Sequence, residues 1–196
     1  KDGVHVINFS ISGGTSITDP VEQAFLAAAN AGVFVAASAG NSGPGNEVAH
    51  ISPWLTTVAA STHNRLLKAD LTLGNGATYS GGSMNLAPLA PAPIIRSVDA
   101  GVTGADSEKL RLCYSASGNG GVAVLDPAKV AGKVVTCDRG VNPRVDKSLA
   151  VAQAGGVGMV MVDNGLGLIG EVHSVPTVHV SVADGALIKA YAMTQG

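Results

Sequence analysis

The sequence predicts an α/β fold in two parts: a partial parallel sheet with helices, followed by a mixed α+β domain. Three observations carry that reading. A β-branched run from Val4 to Phe9 leads into a capped helix and then into a second apolar run, Val33 to Ala37. Further along, short apolar runs alternate with helical periodicity in Arg144 to Ala154. The chain has 196 residues, 46% of them hydrophobic, with 26 Gly and 9 Pro, enough for a buried core joined by many tight turns.

In chain order, Val4 to Phe9 is nearly continuous in β-branched and apolar residues, as in a strand covered on both faces. A Gly/Ser/Thr loop follows, Ser10 to Thr18. Asp19-Pro20-Val21-Glu22 is a helix start: Asp19 can cap, Pro20 suits the first helical position, and Glu22 stands three residues past the cap, as in a capping box. The helix stops at Gly32. Strand, helix and strand so closely spaced predict a right-handed parallel crossover. Thr56 to Ala60 is a further short strand. Asn75-Gly76 is a hairpin turn between Leu71-Leu73 and Ala77-Tyr79. Pro88, Pro91 and Pro93 then interrupt regular structure, and a domain boundary is expected near Ser80 to Asn85.

Beyond it, Leu125 to Lys133 reads as a short helical turn feeding a strand, Lys133 to Cys137. Val145, Leu149 and Ala152 share one helix face, and Gly155-Gly156 ends that helix. Val157 to Val162 and Pro176 to Val180 are strands, and Ala183 to Met193 is the last helix.

Only 13% of residues are charged and the net charge is −2, with no basic run, which argues against a nucleic-acid partner. No apolar run approaches the roughly 20 residues that span a bilayer, so no membrane partner is expected either. The chain opens directly into a strand-like run and closes without a stop pattern, so it reads as part of a longer chain. The two cysteines, Cys113 and Cys137, fit one disulfide in an oxidising compartment or two buried thiols; a bridge would close a loop of about 25 residues.

The chemistry-bearing segment is Ser38-Ala39-Gly40-Asn41-Ser42-Gly43-Pro44, just past a buried parallel strand. Active sites of open α/β sheets lie at carboxyl ends of strands, and a fixed side-chain amide can donate to a developing oxyanion. On this heptapeptide alone a plain turn is the stronger reading. Val6-Ile7-Asn8-Phe9-Ser10-Ile11-Ser12-Gly13-Gly14, followed by the capped helix and the Ala-Gly-Asn strand end, resembles the subtilisin family of serine proteases. Ile51 to Thr62 and Leu73 to Gly81 are similar to plant-type subtilases. Leu125 to Gly140, Lys147 to Met159 and Val175 to Val180 resemble the protease-associated domain inserted in them.

The resemblance implies a partial subtilisin-type parallel sheet in a catalytic domain over residues 1–84 and a protease-associated domain over 85–196. It implies that Ser10, Ile11, Ser12 and Gly13 form an edge pairing with extended peptide or protein substrate, that Ser38, Ala39 and Gly40 form the opposite wall, and that Asn41 is the oxyanion amide. Ser12 stands where subtilisins commonly have glycine, so its side chain either narrows the cleft or faces away. The resemblance also favours the Cys113–Cys137 bridge and secretion, and it implies no cofactor.

No Asp-containing strand end, Gly-His-Gly-Thr-type start or Gly-Thr-Ser-type start occurs here, so the triad is expected outside these residues and the chain alone is expected to be inactive. The alternative is a non-catalytic module in the second half, serving substrate access, partner contact or homo-oligomerisation. His5, His50, His63, His173 and His179 lack ligand-type spacing, so no metal is expected. Gly155 to Gly158 has the wrong strand–helix order for a dinucleotide loop. Asp138, Arg139 and Arg144 read as a solvated loop.

Overall fold

The computed structural model describes residues 3–43, 45–61 and 65–195. Pro44, Thr62 and His63, quoted above, lie outside them. Two compact units divide the chain at 64/65.

Unit 1 contains β1 (Val6–Phe9), α1 (Pro20–Asn30), β2 (Phe34–Ser38) and β3 (Thr56–Val58). The strands form a parallel sheet in the order β1-β2-β3, with Val6 opposite Phe34 and Ala36 opposite Thr56. Asp19 caps α1, its carboxylate accepting from the Val21 N–H at 2.8 Å with Pro20 in the first turn. The expected capping box does not close: the Asp19 N–H donates to the Ser16 carbonyl, and Glu22 turns inward, 2% exposed. Gly32, at φ +81°, takes the left-handed conformation that lets the chain leave the helix. The expected burial of β1 on both faces is not found. Val6 is 60% exposed and Phe34 on β2 is 55% exposed, because no further element packs on that side among the described residues.

Unit 2 begins with β4 (Lys68–Thr72) and β5 (Thr78–Gly82), an antiparallel hairpin turned at Asn75-Gly76, where Gly76 has φ +86°. Then come β6 (Ile94–Arg96), α2 (Ser107–Arg111), α3 (Pro127–Val130), β7 (Val134–Asp138), α4 (Arg144–Gln153), β8 (Gly158–Val162), β9 (Thr177–Val180) and α5 (Val182–Gln195). One six-stranded sheet runs β4-β5-β9-β8-β7-β6. Strands β6 to β9 are parallel, and β5 runs antiparallel to both β9 and β4.

The expected boundary between 84 and 85 therefore falls inside this unit. Gly82 pairs with His179, and the Ser83 hydroxyl donates to the Thr177 carbonyl at 2.7 Å, so the hairpin belongs to the second sheet. Alternation along the strands splits the core in two. Val135, Cys137, Met159 and Met161 face one side with Val130 and Val151, while Val134, Val160, Val162 and Val180 face the other with Ile188 of α5.

Candidate functional site

The site segments of unit 1 meet where β1 and β2 end. Strand β1 stops at Phe9, and Ser10 to Gly13 continue as exposed irregular chain with a bend at Ile11, where a strand edge is expected from the sequence. Ser38 closes β2, and its hydroxyl donates to the Ile11 carbonyl at 3.0 Å. Ala39 is tied on both sides: its N–H donates to Val58, and its carbonyl accepts from Ala49. Gly40 has φ +79°, and a Cβ placed there would meet the Ser12 hydroxyl at 3.3 Å. The Ser12 side chain thus lies between the two segments rather than away from them. Asn41 follows, exposed, and among the described residues its amide has no hydrogen-bond partner.

Behind this pair of segments sits a histidine that spacing rules pass over. His50 is 1% exposed and adopts φ +55°. Its Nδ1 lies 2.5 Å from Glu22 Oε1, and its Nε2 lies 3.0 Å from the Ile11 carbonyl. Its own N–H donates to Gly14 at 3.1 Å, and its carbonyl accepts from the Thr57 hydroxyl. The Trp54 indole donates to the Glu22 carbonyl at 2.9 Å. Phe9 and Phe25 meet the imidazole edge-on, with centroids at 5.5 and 6.0 Å. The ring also forbids a side chain at Gly13, since a Cβ there would overlap it. The one available signal, Glu22 at the third helical position, points locally to a capping box, whereas its partner stands 28 residues away.

In unit 2 the cysteines form the Cys113–Cys137 disulfide, which ties a residue two past the end of α2 to the penultimate residue of β7. The expected solvated charge loop is instead a set of distinct pairs. Asp138 meets Arg111 at 2.8 Å and also Lys189, Arg139 meets Asp163 at 2.8 Å, and Arg144 meets Glu171. Burial works against the charge on Asp163, but the Arg139 guanidinium and loop N–H groups hold its carboxyl down to about 2. Lys147 is 0% exposed; its ammonium donates to the Leu112 carbonyl at 2.8 Å and to Asn142, and burial pushes it down to about 8. Among the described residues no group of three or more His, Cys, Asp or Glu could hold a metal ion, and no helix is long and apolar enough to cross a membrane.

Residues 92–188 match the PA domain family. Subtilisin-like protease SBT1.6 of Arabidopsis thaliana is 42% identical over 201 residues, covering 98% of this chain and 25% of its own. The chain matches a segment of the subtilisin-like proteases that carries a PA domain. SBT1.3 from the same plant is 39% identical, also over 98% of this chain and 25% of its own. This subtilase segment therefore spans about a quarter of the length of the curated relatives it matches. The crystal structure of the psychrophilic subtilisin-like protease Apa1 from the Antarctic psychrotroph Pseudoalteromonas sp. AS-11 overlaps 96% of this chain and 52% of its own, at 18% identity and a TM-score of 0.35.

Proposed function

We propose that the protein containing this segment is a secreted serine endopeptidase that cleaves peptide bonds through an acyl-enzyme. Its substrates are peptides or proteins. The observation that supports this most is the meeting of Ser12 with Gly40 beside an Asn41 amide free to donate. Ser10 to Gly13 and Ser38 to Gly40 are the two walls of the groove, and Asn41 stabilises the charge that develops on the scissile carbonyl. The catalytic residues proper come from segments outside the sequence described. The disulfide supports an oxidising, extracellular setting.

The test joins this segment to its native flanking sequence and compares Asn41→Ala with the unaltered protease. The expected loss is about 10²–10³-fold in kcat with KM little changed, a magnitude established in a subtilisin and borrowed from it. An unchanged kcat removes Asn41 from the mechanism. Residues 1–196 alone are expected to give no inhibitor-sensitive peptide hydrolysis.

A second role belongs to the PA domain, proposed over residues 85–196 with the preceding residues as catalytic domain. Unit 2 has a sheet with a core on each face and supplies none of the groove segments. That supports substrate access or protein contact, including homo-oligomerisation. Sedimentation of the full chain checks the last: a single monomeric species over a wide concentration range argues against self-association.

A further inference from the structure

We propose that Glu22 and His50 are positioning residues for the substrate edge, acting through the Ile11 carbonyl to aim the Ser12 N–H at the bound peptide. The inference rests on the protease reading above.

It begins with one oxygen. The Ile11 carbonyl receives the Ser38 hydroxyl and His50 Nε2, each at 3.0 Å, so both its lone pairs are engaged from within unit 1. A carbonyl only accepts, so Nε2 carries a proton. Nδ1 then faces Glu22 Oε1 at 2.5 Å, and that contact fixes the tilt of the ring. The ring has little freedom: Phe9, Phe25, Gly13 and the Thr57 and Gly14 bonds surround it.

The consequence follows from the planar trans peptide. The C=O of Ile11 and the N–H of Ser12 belong to one rigid unit and point in opposite directions. Holding the oxygen inward therefore turns the Ser12 N–H outward. Among the described residues that N–H has no acceptor, and Ser12 is exposed. It is the donor an extended peptide would use when it lies along this edge, as in strand addition. Buried ion pairs are weak stabilisers, and Glu22 Oε2 is buried without a partner among the described residues. Stability alone is thus a poor reason for this arrangement, and orientation of the edge is a better one.

Two measurements test it. In residues 1–196 labelled with carbonyl-¹³C isoleucine and ¹⁵N serine, only Ile11-Ser12 and Ile51-Ser52 give paired signals. Glu22→Gln and His50→Gln are expected to move the first signal, with a smaller change at the second. In the protease with its flanking segments, these variants are expected to lose about 10- to 100-fold in kcat/KM on peptides extended before the cut bond. On a single-residue ester, which does not reach Ser12, the loss stays within about threefold. Ser38→Ala, which removes the other donor to the same oxygen, repeats the pattern more weakly and serves if the buried variants fail to fold. An unmoved Ile11-Ser12 signal, or equal losses on long and short substrates, overturns the proposal. An unaltered protease inactive on both substrates sinks the protease reading itself, whatever the Ile11-Ser12 signal does.

Discussion

Unit 1 and unit 2 both carry parallel strands, yet they bury them to very different depths. In unit 1, Val6, Phe34 and Val58 are 60%, 55% and 54% exposed. In unit 2, Val135, Cys137 and Met161 of the central strands are 0% exposed, with apolar neighbours on both faces. The first unit holds its candidate site segments largely by polar contacts converging on His50 and Ile11. The second is held by two apolar layers and a covalent tie. The unit bearing the candidate site thus has the less buried sheet, while the other unit has the better-built core.

The largest break in that contrast comes from removing the disulfide. Cys113→Ser with Cys137→Ser is expected to cost unit 2 about 3–4 kcal/mol, the loop-closure value for this separation. Amide exchange resolves the comparison by unit: protection should fall in β7 and β8 and stay unchanged in β1 to β3. A uniform loss across both sheets would mean that the units do not unfold separately.

A smaller effect is expected from pH. Lys147 titrates near 8 in the folded chain against an ordinary 10.5. Between those values the unfolded chain still holds a proton that the folded chain has released. Unfolding therefore takes up protons, and stability rises with pH across that window. Below about 8 both states are charged, and the burial cost is present in full. Denaturant midpoints from pH 7.5 to 10.5 should climb by no more than about 3 kcal/mol in stability. Lys147→Met should flatten that climb while lowering stability overall, because the Leu112 carbonyl and Asn142 lose their donor.

These contrasts also explain what could be read from the sequence. Strands β7 and β8 were legible because residues buried on both faces must be apolar at every position, as Val134-Val135 and Met159 to Val162 are. Helix α1 was legible because Asp19-Pro20 is a local start signal. Strand β6 was not, since Ile94 to Arg96 follow a proline-rich stretch and gain their strand character by pairing with β7. The place of the β4–β5 hairpin was not legible for the same reason: it joins the second sheet through Gly82 and His179, a pairing no local pattern records. In the candidate site, Gly40-Asn41 carried a recognisable pattern. The Glu22–His50 contact spans 28 residues and had none.

The smallest expected effect is the sharpest test of the two depths, because it makes one kind of change in both sheets. Val135→Thr puts a hydroxyl where exposure is 0% and no water can reach it. Its cost is expected to be about 1–3 kcal/mol, that of a buried polar group without a partner. Phe34→Thr, on β2 of unit 1, exchanges an apolar side chain that is already 55% exposed for one with good strand propensity. It should change stability by no more than about 0.5 kcal/mol, as surface substitutions do, while lowering the tendency of the exposed face to self-associate. Thermal melts with light scattering read both quantities together. If Phe34→Thr costs as much as Val135→Thr, the exposed face of β2 is covered in solution, and the contrast drawn between the units fails at the strand that carries Ser38.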